Sequence, residues 1–217
     1  MGMFGEAAGN TLRLSKLFDV RTAGSGMVRI STEQLNTVLN QADSATLKAR
    51  NLIAGRSQSD LTTSLESASW SVAQCLDHLT QTTNAFVPVI SSAIARAPRL
   101  SANRALRTGA LARLFIRNLE PPYRLRFKVL TPLVPRQRDF NSAWSGFEES
   151  QAQLAKTIRS AAGLAIDQVR VESPVYARFS YNVYGALRML TAHEHRHLWQ
   201  IEQILKALNR VPVRSAS

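Results

Sequence analysis

The chain has 217 residues, one cysteine and a net charge of +12, from 27 Lys and Arg against 15 Asp and Glu. This length suits one globular domain. No apolar run reaches the roughly 18 residues of a membrane span, and a single cysteine excludes an internal disulfide. The charge is local: from Arg96 to Arg138 eleven basic residues face only Glu120, while the rest of the chain holds 16 basic and 14 acidic residues.

Residues 1–26 show no sustained periodicity and predict a poorly ordered tail. Gly2 does not make a myristoylation site, because Glu6 stands where Ser or Thr is required. Periodic sequence begins right after Met27, which marks Met27 as a candidate native start. With no secretory pattern in view, a cytoplasmic protein is expected. Ser31 and Gln34 have capping-box spacing and open a helix with Leu35, Val38, Leu39, Ala42, Ala45, Ala49, Leu52 and Ile53 on one face, stopped by Gly55. Ser71 and Gln74 repeat that spacing after Trp70 and open a second helix, carrying Cys75, Leu76, His78, Leu79 and Phe86 inward; Pro88 is expected to kink or end it.

Residues 103–118 predict a short helix through Leu106, Leu111, Leu114 and Phe115. Pro121, Pro122, Pro132 and Pro135 then impose an extended crossover, as suits a bundle whose neighbouring helices run parallel. Helical spacing returns from Phe140 through Trp144, Phe147, Leu154 and Ile158. Residues 164–180, with Val169, Val171 and a Ser173-Pro174 break, read as a loop holding a short extended piece. The longest element runs from about Tyr181 to Leu208, with Val183, Leu187, Leu190, Glu194, His197, Ile201, Ile204 and Leu208 at alternating three- and four-residue steps. The expected fold is all-α: a four-helix bundle with a long proline- and arginine-rich crossover between helices two and three.

Three of the four histidines lie within five residues. His193 and His197, one turn apart, share a face with Leu190 and Ile201, whereas His195 is rotated by about 200° from His193. Imidazoles directed into an apolar interior are costly without partners, and a divalent metal satisfies both at once. The plainer alternative is two histidines at the edge of the bundle. His78, on the inward side of the second helix, tips the balance, because a bundle can bring it across to complete a three-ligand site with an open position. His193-Glu194-x-x-His197 also fits the zincin signature, yet no third zincin ligand follows His197; Glu194 remains a candidate base or supporting group. Cys75 could add a thiolate, although a lone buried cysteine is more often a small hydrophobe. Trp70, Trp144 and Trp199 read as packing residues. No P-loop, dinucleotide fingerprint or nucleophile-elbow string occurs.

Trp70-Ser71-Val72-Ala73-Gln74 leading to His78-Leu79, paired with His193-x-x-Arg196-His197-Leu198-x-Gln200-Ile201-Glu202, resembles the DinB-like superfamily of bacterial proteins regarded as metalloenzymes. Glu120-Pro121-Pro122 and the stretch from Pro132 to Pro135 resemble its crossover, and the similarity spans roughly residues 30–208. The domain is accordingly expected over 27–211, with a short tail at 212–217. The resemblance implies a four-helix bundle holding zinc or nickel on His78, His193 and His197. It also implies a homodimer. Characterised relatives include bacillithiol-dependent S-transferases and a mycothiol-dependent isomerase. The tail before Met27 and the arginine-rich crossover depart from the family pattern.

Three functions compete. The first is a metal-dependent enzyme, a thiol S-transferase or a hydrolase, acting on a small anionic substrate with a low-molecular-weight thiol cosubstrate; an arginine at the bundle mouth would hold a carboxylate. The second is nucleic-acid binding through the basic crossover, with Phe115, Tyr123 and Phe127 stacking on bases, although a solvated basic face is the commoner meaning of such a run. The third is a non-catalytic protein stabilised by its metal.

Overall fold

A computed structural model describes residues 25–66, 69–101, 104–121, 123, 131–136 and 139–210. Residues 1–24 of the expected tail at 1–26 and the expected tail at 212–217 lie outside the described residues, as do Pro122, Arg124, Arg126, Phe127, Lys128 and Arg138 of the crossover, whereas Ser25 and Gly26 already belong to α1. The described chain is mostly helical: α1 (Ser25–Ile53), α2 (Gln58–Thr62), α3 (Val72–Ile94), α4 (Ala110–Leu119), a 3-10 turn (Thr131–Leu133), α5 (Phe140–Ser160), β1 (Arg170–Glu172), β2 (Ser180–Asn182) and α6 (Val183–Leu208). The all-α class stands. The described residues add the antiparallel hairpin β1–β2, in which Val171 pairs with Tyr181, at the place where a short extended piece was expected, and a β-bridge between Arg99 and Leu164.

Local signals account for most boundaries. Ser71 caps α3, its Oγ accepting the Gln74 N–H at 3.2 Å while Gln74 Oε1 accepts the Ser71 N–H at 2.9 Å, so two end donors are satisfied reciprocally. Asp139 caps α5 through the Ser142 N–H at 3.0 Å, and Asn182 caps α6 through the Gly185 N–H at 2.7 Å. Gly55, with φ of 70°, takes the left-handed conformation just beyond α1.

Three expectations need correction. Ser31 does not open a helix: α1 is already helical there, the Ser31 hydroxyl is buried without a partner, and Gln34 instead exchanges two hydrogen bonds with the Leu106 backbone, at 3.2 and 2.7 Å. Pro88 does not end α3, which continues to Ile94. Pro88 and Asn84, the residue whose carbonyl the missing N–H would have engaged, are both exposed, so water can take that acceptor. The short helix begins at Ala110 rather than near residue 103, after Gly109 as its N-cap.

Each of the four long helices packs on two others: α3 against α5 and α6, and α1 against α5 and α6. Their buried apolar residues form two clusters. One holds Val38 and Ala42 of α1, Phe86 and Ile90 of α3, Leu154 and Ile158 of α5, and Leu187 and Leu190 of α6. The other holds Ala45 and Ala49, Leu76 and Leu79, Ala143 and Phe147, and Leu198 and Ile201 of the same four helices. Along α1 and α6 the first cluster precedes the second; along α3 and α5 the order is reversed. Hence α3 and α5 run the same way, opposite to α1 and α6. Between the clusters lies a buried polar belt of Thr80 and Thr83, Ser150 and Gln151, and Thr191 and Glu194. In the chain, His78 and the 193–197 histidines border this belt.

Candidate metal centre

His78 stands on α3 and is 3% exposed; His193 and His197, one turn apart on α6, are half-buried and buried. Their three ligating nitrogens lie within 4.8 Å of one another, and no other histidine, cysteine or acidic residue joins them among the described residues. The Nε2 atoms of His78 and His193 are 3.2 Å apart. A tetrahedral zinc with bonds of about 2.0–2.1 Å sets its nitrogens about 3.3 Å apart, so the donor spacing fits an ion of that kind.

Two rings are held from behind. His78 Nδ1–H donates to the Leu133 carbonyl at 2.7 Å, and His197 Nδ1–H donates to Gln200 Oε1 at 3.0 Å. Each bond fixes a tautomer that leaves the Nε2 lone pair for the shared space. Leu133 reaches His78 because the crossover is anchored on α3: Asp77, also buried, accepts the Arg136 N–H at 2.7 Å and the Gln81 side-chain amide at 2.6 Å. Trp70, immediately before the α3 cap, covers the rings, with its centroid 4.9 Å from that of His78 and 5.9 Å from that of His197.

Burial makes the imidazoles neutral. It lowers the His78 pKa against the opposing pull of the Leu133 bond and Asp77. It lowers His193 well below the ordinary value, helped by His197, His78 and the Arg196 charge. His197 is pushed down to about 3 by burial and by His78. Neutral imidazoles with free lone pairs are the form a divalent ion requires.

The other candidates fall elsewhere. Glu194 is 1% exposed and turns toward α5, where Oε1 accepts from the Gln151 amide at 2.7 Å while Oε2 has no partner; burial raises its pKa to about 7. It is not one of the clustered donors. Cys75 is fully buried in the apolar cluster with Leu76 and Leu79, its thiol pKa driven up by burial, so it serves as a small hydrophobe. His195 faces away as predicted, its Nε2–H donating to the Gln41 carbonyl at 3.1 Å. Phe115 packs edge-on against Phe179 and Tyr181, and Tyr123 lies on Trp199 beneath the Arg196 guanidinium. Sequence reasoning missed Trp70, Leu133 and Gln200 as supports of the site. Gln200 was within reach of it, three residues beyond His197 on one helix. Nothing in the sequence points from Leu133 to a histidine 55 residues away.

A mostly helical protein with three neutral imidazoles converging from two helices is the class that this fold and site define. The family model of the DinB superfamily matches residues 30–201, and the chain belongs to that superfamily. No curated protein and no solved structure matches it. No helix among the described residues is long and apolar enough to cross a membrane.

Proposed function

We propose that the protein is a divalent-metal-dependent enzyme on a four-helix bundle of α1, α3, α5 and α6, with His78, His193 and His197 as ligands of zinc or nickel. The reaction class is thiol-dependent S-transfer or hydrolysis. The observation that carries this reading is the convergence of three imidazole nitrogens within 4.8 Å, two of them with their Nδ1–H groups engaged outward. When bound, a divalent ion supplies Lewis acidity and lowers the pKa of a thiol or water beside it.

The chain's own residues supply the rest. Neutral ligands leave the ion's charge uncancelled, Leu133 and Gln200 hold the ring tautomers, and Trp70 keeps an apolar wall over two of the rings. Arg196 stands between the two α6 ligands in sequence, and its charge is felt at both. Its guanidinium donates to the Asn118 carbonyl at 3.2 Å and lies over the Tyr123 ring, so what it offers a carboxylate-bearing cosubstrate, such as a low-molecular-weight thiol, is the longer-range attraction of its charge. Glu194 is given no step, because its carboxyl is turned to Gln151. A cytoplasmic homodimer goes with this reading as a further expectation, checked by sedimentation equilibrium.

The test is metal analysis of the purified protein. One divalent ion per chain is expected, with loss of at least nine-tenths of it in His78→Ala and in His197→Ala. A metal-free wild type that takes up no zinc or nickel on titration, or variants that keep full occupancy, would overturn the proposal. A screen for thiol consumption with several low-molecular-weight thiols then separates S-transfer from hydrolysis.

A further inference from the structure

Helix α6 carries a second set of functional-looking side chains on the face opposite the metal ligands. His195 is rotated by about 200° from His193, and Arg188 lies two turns before His195 on the same side. Both line a pocket of about 280 Å³, with Gln41 of α1, Ile116 and Leu119 of α4, and Glu120, Pro121 and Tyr123 beyond it. Its apolar wall comes from Ile116 and Leu119 of α4 and from Ala192 of α6. Nothing in the metal-site reading uses this space.

Its polar groups are of two signs. Arg188 is half-buried and held in place by Thr108, whose Oγ1 accepts from Nη1 at 2.9 Å, and by the Tyr184 ring 6.0 Å away. No carboxylate pairs with it among the described residues, so its remaining N–H donors are available. Glu120, just past the α4 C-terminus, lines the same pocket at its exposed rim and makes no ion pair with Arg188. A cation and an anion that share a cavity without closing on each other leave room for a ligand carrying both charges. On the same lining His195 has given its Nε2–H to the Gln41 backbone carbonyl, which leaves the Nδ1 lone pair as an acceptor, and the Gln41 side chain is held by the Thr191 hydroxyl on its Oε1 at 3.1 Å. Arg188, His195 and Gln41 are therefore set by other contacts before any ligand arrives.

We propose that this pocket binds a small amphipathic zwitterion of the size of an apolar amino acid, with its carboxylate on Arg188, its ammonium toward Glu120 and its apolar body against Ile116, Leu119 and Ala192. The probe is L-leucine, titrated into the purified protein and followed by amide NMR shifts, with hexanoate and hexylamine as analogues keeping one charge each. Saturable shifts at Gln41, Ala192 and His195 are expected, with each analogue bound about tenfold or more weakly, since each lacks one charge-assisted contact. Arg188→Gln should weaken leucine by a similar factor. Ala192→Leu, which fills the apolar wall without touching either charge, should abolish the shifts and serves as a second test if Arg188→Gln folds poorly.

Three results would overturn the proposal. One is the absence of saturable shifts at those amides. Another is leucine binding no better than hexanoate or hexylamine. The third is a perturbation centred on His78 and His193 that disappears in His193→Ala, which would mean that the amino acid chelates a metal instead. The site stands apart from the metal centre, so it survives even if metal analysis fails.

Discussion

An imidazole is a ligand only when its lone pair points where the ion will be, and for His197 that orientation rests on one amide. Gln200 Oε1 accepts the Nδ1–H at 3.0 Å, from the next turn of the same helix. In Gln200→Leu the ring keeps its burial but loses its tautomer lock, so metal affinity should fall about 10- to 100-fold, the usual cost of losing such an outer partner. Competition with a chromophoric chelator measures this, and an unchanged affinity would show that packing alone orients the ring. The same residues show what a sequence reveals at this scale. His193 and His197 were legible because one helical turn fixes their relation, and His78 because it follows a capped start by a readable number of residues. Leu133 was not legible: its contribution is a backbone carbonyl, which every residue has, and its position depends on Asp77 gripping the crossover at Arg136.

Among whole elements, capping chemistry predicted starts well only where tertiary contacts did not compete. Ser71 and Ser31 carry the same spacing to a Gln three residues on, yet only Ser71 caps. At Ser31 the long-range pairing of Gln34 with the Leu106 backbone takes the side chain that the local motif needs. Ser71→Ala should therefore cost about 1 kcal/mol in a urea melt, the typical value for a lost N-cap, whereas removing Ser31 Oγ deletes a buried hydroxyl with no partner and should cost nothing or stabilise slightly. A closer constraint joins α4 to α6. A Cβ on Gly185 would stand 2.7 Å from the Ala112 Cβ and 2.8 Å from the Asn182 cap oxygen. Gly185→Ala must push α4 away or break the α6 cap, and about 1–3 kcal/mol of destabilisation is expected by the same melt. Sequence patterning marks both helices as amphipathic, but it cannot show that their backbones meet at a glycine.

Across the molecule, the net charge of +12 is concentrated between Arg96 and Arg138. The fold gives the basic segment a structural attachment as well. Arg104 forks onto Asp167 with two N–H groups, one of them at 2.9 Å, and the Arg107 backbone N–H adds a third bond at 3.0 Å, tying the segment before α4 to the loop before β1. The Asp167 side chain is 4% exposed and that of Arg104 31%. Burial alone would raise the Asp167 pKa, but the bonds from Arg104 and Arg107 outweigh it and hold the carboxyl below its ordinary value. Because the folded pKa is lowered, the folded chain binds fewer protons here than the unfolded one. The stabilisation is thus complete above the unfolded value of about 3.9 and disappears as pH falls through the lower, folded value. Asp167→Asn should cost about 1–2 kcal/mol at pH 6, a charge-assisted bond discounted for the part of Arg104 that solvent screens. In paired urea melts from pH 6 down to pH 3, the gap between wild type and variant should hold steady to about pH 4 and then narrow. A gap that stayed constant through that range would mean that the ion pair contributes geometry without free energy, and that the basic segment is held by Gln34 and the α4–α6 contact instead.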